Sequence, residues 1–420
     1  MKRSTKTIRL AAVAAAGTLV LAACGGGDDG GGGDDAGKVA KGDGTLTVGS
    51  LLPSTGDLAF LGPPEFAGID LAVQDINEAG GVLGKDVVQS KADSGDGTPK
   101  IAPGSVDKLL GANVDTVIGA ASSDVSLSVI DKIINSGVVM FSPANTSTEF
   151  DTYKDKNLYF RTAPSDVLQG NVLGNLILQD GAKSVAILAR QGSYGEALAE
   201  NTEKTIKDQG GDVVAKVIYS SEATSYTSEI QKIKDSKPDA IALISYVDDG
   251  KKAVQGLESA GIGPQDVQTY FVDGNTADYS KEFPKGTLEG VRATYPGAEL
   301  QGDFRKRMLE VDPKLKDFTY GPESYDATVM TALAVEAAKN DSGEAIASEL
   351  VNISRDGEEC TTFADCVKLV KDGTDIDYNG VSGPVDLNDT GSPSKATIGI
   401  FEFENDNTYT NKDYVTGVVE

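Results

Sequence analysis

The chain has 420 residues, 64 acidic against 38 basic side chains, a formal net charge of −26 and no histidine. So acidic a balance argues against nucleic acid as a partner. The lack of histidine removes the common Ser-His and Cys-His catalytic arrangements.

In chain order, Lys2, Arg3, Lys6 and Arg9 precede an uninterrupted small or apolar run from Leu10 to Ala23. The run is too short to stay comfortably in a bilayer and has the layout of an export signal. It ends in Leu21-Ala22-Ala23-Cys24, which resembles the lipobox of bacterial lipoproteins. That resemblance implies cleavage before Cys24 and acylation of its thiol. Ten Gly and five Asp fill most of Gly25 to Gly44, so 24–44 reads as a flexible tether with nothing to bury. Removal of residues 1–23, with four positive charges and no negative one, takes the net charge from −26 to −30.

About 375 residues follow, enough for two domains of ordinary size. From Leu46 onward short apolar strands alternate with amphipathic helices, the pattern of an α/β fold. Leu46 to Leu52 predicts a strand and is followed by a Pro/Gly-rich loop. A helix is expected from about Glu65 to Ala79, with Phe66, Ile69, Val73 and Ile76 at helical spacing and Gly80-Gly81 as its stop. Further strands are expected around Val114 to Ile118, Val138 to Ser142, Ser184 to Ala189, Asp212 to Tyr219, Ala240 to Ser245 and Thr269 to Val272. Helices are expected notably at Gly195 to Asp208, Thr227 to Ser236, Asp249 to Ala260 and Tyr325 to Lys339. Such strands favour doubly wound parallel sheets, which bind ligands beyond the carboxyl ends of their strands. Cys360 and Cys366, with five residues between them in an exported chain, predict a short disulfide loop contributing about 2 kcal/mol; a zinc site would need unusual carboxylate help.

Several segments then carry a resemblance. They are Leu51-Leu52-Pro53-Ser54-Thr55-Gly56, Asp75-Ile76-Asn77-Glu78-Ala79-Gly80-Gly81-Val82-Leu83-Gly84-Lys85, Ile118-Gly119 with Ser122-Ser123, and Phe141-Ser142-Pro143-Ala144-Asn145-Thr146. Phe160-Arg161-Thr162, Tyr194-Gly195-Glu196, Tyr325-Asp326-Ala327 and Gly380-Val381-Ser382-Gly383-Pro384 follow in order. Together they resemble the branched-chain amino acid (leucine/isoleucine/valine) binding proteins, which have the type I periplasmic binding fold. The resemblance implies two doubly wound lobes joined by a three-strand hinge, with crossings near 163, 293 and 385. Lobe 1 would comprise 45–163 and 294–384, and lobe 2 would comprise 164–293 and 385–420. Closure would be a hinge rotation that traps the ligand.

Carried over by position, the resemblance places Ser123, Ala144 and Thr146 around a ligand's α-carboxylate and α-ammonium. Ser123 follows a strand and should open a helix, whose N-terminus favours an anion. The Thr146 hydroxyl donates or accepts, and Ala144 offers a carbonyl. Serine and threonine there also suit an N-cap and a turn. Tyr194 and Tyr246 correspond to aromatic residues that close over the ligand, or else to plain loop aromatics. Phe60 and Leu61 fall at a side-chain contact, with the non-aromatic Leu61 in the matching column. For the acid that pairs with an ammonium, the matching position is Asn275, and Asp273 lies two residues earlier, where it would serve as ligand or as an Asx-turn former.

The implied function is the extracytoplasmic, lipid-anchored receptor of an ABC importer. It would be a monomer without cofactor or metal that delivers an amino acid to a permease and its ATPase. An amide, urea-like or sugar-like solute, or a role as sensor for a membrane signalling protein, stays open. An enzyme is disfavoured. Gly80 to Asp86 is only a faint phosphate-loop likeness, with Asp86 where Ser or Thr is required and a helix before it, and counting carboxylates alone does not exclude a glycosidase-like pair.

Overall fold

The computed structural model describes residues 42–96 and 100–419. The export segment, Cys24 and most of the tether lie outside the described residues. No helix among the described residues is long and apolar enough to cross a membrane.

The chain begins with β1 (Thr47–Leu52), α1 (Gly62–Glu78), β2 (Val88–Asp93), α2 (Ala102–Gly111), β3 (Thr116–Gly119), α3 (Ser123–Asn135), β4 (Val139–Ser142) and β5 (Tyr159–Arg161). These strands form one parallel sheet in the order β2-β1-β3-β4-β5. Next come α4 (Asp166–Gln179), β6 (Ser184–Arg190), α5 (Ser193–Asp208), β7 (Asp212–Tyr219), α6 (Thr227–Ser236), β8 (Ala240–Ile244), α7 (Val247–Ala260), β9 (Gln268–Val272) and β10 (Arg292–Pro296). The last stretch holds α8 (Gly302–Val311), α9 (Gly321–Ala338), α10 (Gly343–Leu350), β11 (Glu358–Cys360), α11 (Phe363–Asp372), β12 (Ile376–Gly380), β13 (Gly383–Pro384), β14 (Lys395–Phe403) and β15 (Tyr409–Val418).

The larger sheet runs β15-β14-β10-β9-β8-β6-β7. Its strands from β10 to β7 are parallel, and β14 and β15 add an antiparallel hairpin. Every residue of β3, β4 and β8 is buried, as expected of parallel strands covered on both faces. The chain thus passes between the two sheets after β5, after β10 and before β14. The second crossing was placed near 293 from sequence, yet β10 stays paired to β14 through Pro296, so that passage lies at 297–301.

Helix starts differ most from the sequence reading. The first helix begins at Gly62 instead of Glu65, and α9 begins at Gly321 instead of Tyr325. Both carry proline in the first turn, where the N–H groups have no intrahelical partner and a missing donor costs nothing. Nearly every residue of α9 is buried, so no polar stripe marks it.

Several segments behind the resemblance are braces. Asp326 accepts from Tyr378 Oη at 2.8 Å, Val381 N at 3.1 Å and Ser382 N at 2.7 Å, which ties α9 to the 380–383 turn. Asn77 accepts from Val87 N at 2.7 Å and closes the turn after α1. Arg161, fully buried, reaches Ser147 O at 2.9 Å, Ser392 Oγ at 2.8 Å and the Asp151 carboxylate. Cys360 and Cys366, at the end of β11 and in the first turn of α11, have their sulfurs 2.11 Å apart.

Candidate functional site

In each sheet, order reverses at one strand: β2 and β3 flank β1, and β7 and β8 flank β6. The loops beyond such a switch point diverge and leave a crevice. A small cavity of about 20 Å³ lies there, lined by Leu58, Leu61, Ala121, Ser123, Ala144, Tyr194, Tyr246, Asp273, Gly274 and Tyr320. Leu58 and Leu61 follow β1, Ala121 and Ser123 follow β3, and Ala144 follows β4. Tyr194 follows β6, Tyr246 follows β8, and Asp273 with Gly274 follows β9. Its volume is about that of one water.

Ser123 is the first residue of α3, and the cap is Ser122, whose Oγ accepts from Val125 N at 3.4 Å. The capping role is therefore filled by the neighbour. The Ser123 hydroxyl accepts from Ser147 N at 3.4 Å at the cavity edge. The positive end of a 13-residue helix thus faces the cavity, where an anion is favoured.

Across the cavity Asp273 is 7% exposed. Its Oδ1 accepts from Tyr194 Oη at 2.6 Å and Gln169 Nε2 at 3.0 Å, and its Oδ2 from Tyr320 Oη at 2.9 Å. Burial raises its pKa, while the bonds from Tyr194, Gln169 and Tyr320 pull it back. Burial first, and then the Asp273 charge, hold the Tyr194 phenol well above its ordinary value, so it stays a donor. Among the described residues the carboxylate is met only by neutral donors.

Asn275 is 0% exposed and does not line the cavity. Its Oδ1 accepts from Val272 N at 2.8 Å, and its Nδ2 donates to Leu243 O at 3.0 Å and Ser245 Oγ at 2.8 Å. Asn275 locks the loop that presents Asp273. The loop also depends on Gly274, where a Cβ would fall 2.7 Å from Ser245 O and 2.8 Å from Tyr246 Cδ1.

Tyr194 and Tyr246 stack at 5.6 Å between centroids, and the Arg190 guanidinium lies 3.4 Å from the centre of the Tyr246 ring. Arg190 also pairs with Asp249 at 3.4 Å, which itself takes the Tyr219 hydroxyl at 2.6 Å. This second layer fixes the ring that covers the cavity. Bonds join the two sides: Tyr246 Oη to Ser122 Oγ at 3.3 Å, Ser193 N to Asp124 Oδ1 at 2.7 Å and Ser147 Oγ to Ser193 O at 3.1 Å. Gly192, at φ +127°, permits the approach, since a Cβ there would meet Asp124 Oδ2 at 2.4 Å.

Besides Asn275, two expected residues stand apart. Thr146, 1% exposed, does not line the cavity, and its hydroxyl faces the Asp166 carboxyl. Phe60 lines a larger neighbouring groove of about 1020 Å³, shared with Tyr320, Asp57 and Asp248, while Leu61 lines the cavity itself. Sequence reasoning missed Leu58, Ala121, Gly274, Gln169, Arg190 and Tyr320. Of these only Tyr320 had a signal, as a tyrosine before the Gly-Pro of a helix start. Among the described residues there is no cluster able to hold a metal ion.

The comparisons agree with this architecture. The "Leu/Ile/Val-binding protein homolog 3" of Brucella melitensis is 26% identical over 370 residues, covering 86% of this chain and 91% of that protein. A branched-chain amino acid transporter substrate binding protein of Streptococcus pneumoniae, solved with isoleucine, superposes with a TM-score of 0.72 at 20% identity, over 89% of this chain and 100% of the other. A Rhodopseudomonas palustris solute binding protein of an ABC transporter, solved with 4-hydroxybenzoate, gives 0.71 at 18% identity, over 89% and 97%. The periplasmic binding protein family matches residues 45–377, and together with the two switch-point crevices meeting at one cavity this makes the chain a member of that family.

Proposed function

We propose that this chain is the extracytoplasmic receptor of an ABC importer, a monomer that closes around an amino acid and passes it to a permease. The observation that carries this reading is the pairing across one cavity of an anion-favouring helix start at Ser123 with the buried Asp273 carboxylate, which has no cation of its own among the described residues. An α-carboxylate at the first and an α-ammonium at the second would satisfy both. The apolar Leu58, Leu61 and Ala121 would flank the side chain, which fits relatives named for leucine, isoleucine and valine.

Opening would rotate the two sheets apart about the three passages at 162–165, 297–301 and 385–394. Acylated Cys24 would hold the protein to the membrane, and the Cys360–Cys366 disulfide would form on export. The intact mass of the exported protein reads both, and an unlipidated chain with free thiols would overturn both.

Thermal unfolding of the purified chain against single amino acids, small amides, urea, sugars and benzoates tests the ligand class. At a hundredfold excess over Kd the folded form gains about 2.7 kcal/mol. We expect a shift with apolar amino acids, lost in Ser123→Ala and Asp273→Ala. A shift only with solutes lacking an ammonium would reject the amino acid and keep the receptor.

A further inference from the structure

Behind Asp273 lies a second carboxyl that the proposed ligand contacts leave unused. Asp166 opens α4 and is 0% exposed, and both its oxygens lack a hydrogen-bond partner. It sits one helical turn before Gln169, whose amide donates to Asp273 Oδ1 at 3.0 Å. The Thr146 hydroxyl faces it at longer range and lowers its pKa, against the larger effect of burial. The Gln169 Oε1 and Thr294 Oγ1 atoms are also unpartnered, so the space behind Asp273 is polar, and its donors are neutral hydroxyls and amides.

The charges around the pair are accounted for. Arg161 lies nearby but is committed to Asp151, Ser147 O, Asn145 O and Ser392 Oγ. Tyr194, Tyr246 and Tyr320 face the pair as neutral phenols, and Glu323 lies beyond Tyr320. No free cation reaches it among the described residues. Two carboxylates sharing a buried site do not both stay charged without a compensating cation.

We propose that Asp166 and Asp273 act as one unit that requires a single positive charge before the lobes close: a ligand's ammonium, or a proton when no ligand is present. This rests on the amino-acid reading for the identity of the cation, but the requirement for a positive charge stands on the two carboxyls alone. With a ligand, the ammonium enters and both acids stay ionised. Without one, a proton from solvent binds one acid as the cleft shuts, and it returns to solvent on opening. A solute with only a carboxylate would put a third negative charge beside the pair, so the unit selects ammonium-bearing solutes. Burial first, and then the Asp273 charge, push Asp166 well above the usual carboxylate range, in keeping with proton uptake.

The lip of the cleft would also take up a proton on closing, because burial and Asp248 push Asp57 up to about 7. The experiment therefore uses the full chain carrying Asp57→Asn. Small-angle scattering of the empty protein from pH 8 to pH 5 reads the open and closed populations. We expect the closing equilibrium to rise with acidity by up to about tenfold per pH unit, and the dependence to vanish in Asp57→Asn with Asp166→Asn and to weaken in Asp57→Asn with Asp273→Asn, where burial still acts on Asp166. At pH 8, L-leucine should close the protein and 4-methylpentanoate, the same molecule without its ammonium, should not. A radius of gyration flat with pH, or a pH dependence that survives both second substitutions, would overturn the proposal, as would closure by 4-methylpentanoate at pH 8. Failure of leucine with the proton effect intact would reject the amino-acid reading while supporting the acid pair.

Discussion

Tyr320 donates to Asp273 from a left-handed backbone position, φ +58°, that costs an L-residue with a bulky side chain about 1–2 kcal/mol. Strain of this kind persists where the surroundings over-determine it, and it concentrates at ligand sites. Here it aims a phenol at the carboxylate from the opposite side to Tyr194. Tyr320→Phe keeps the ring and removes the donor, so leucine affinity should fall about fivefold, about 1 kcal/mol, with the unfolding midpoint nearly unchanged. Calorimetric titration checks this, and an unaltered affinity would remove Tyr320 from the site. Ser123, Ala144, Tyr194, Tyr246 and Leu61, expected from the family resemblance, all line the cavity, and all but Leu61 lie just beyond a parallel strand. The choice between Asp273 and Asn275 was not legible in the sequence, because both occupy one tight turn and only its folded path decides which side chain enters the cavity and which holds the loop.

At the level of elements, α1 and α9 pack against each other and bring two glutamates of their first turns together. Glu65 is fully buried with neither oxygen hydrogen-bonded, and burial, then the Glu323 charge, raise its pKa well above normal. Burial foremost pushes Glu323 up to about 8 from 4.5. The folded state thus holds a proton that the unfolded chain releases above about 4.5. Stability from the protonated form is complete below that value and drains away as pH rises toward 8, by up to about 1.4 kcal/mol per pH unit. Glu323→Gln should flatten the fall in melting temperature between pH 5 and pH 8, and an unchanged slope would place its origin elsewhere. The reading of strands and helices did best on β7 and α6, whose bounds it matched, and worst at helix starts holding proline. It missed β15, an edge strand whose residues are largely polar and exposed, because pairing to β14 rather than an apolar period makes it a strand.

For the molecule as a whole, the cavity exists only while the two sheets face each other. Asp124 is central to that arrangement, taking Ser193 N at 2.7 Å across the gap where Gly192 gives it room. Asp124→Asn should leave each sheet intact and weaken closure, so that leucine dissociates roughly five- to tenfold faster while association changes little. Stopped-flow measurement separates the two rates, and an unchanged dissociation rate would mean that closure rests on other contacts.

By itself, the sequence determined the class of fold, the likeness to the branched-chain amino acid binding proteins, the export signal and tether as expectations, and most of the loops that meet at the cavity. These follow from local patterns: apolar period, turn residues, charge and the order of motifs. Only the tertiary structure decided that Asp273 faces inward, that Ser122 caps so that Ser123 is free, that Tyr320 and Gln169 complete the carboxylate's shell, and that Asp166 lies unpaired behind it. Those facts depend on residues as far as 151 positions apart meeting across two sheets, as Gln169 and Tyr320 do at one side chain. No periodicity along the chain encodes such a meeting.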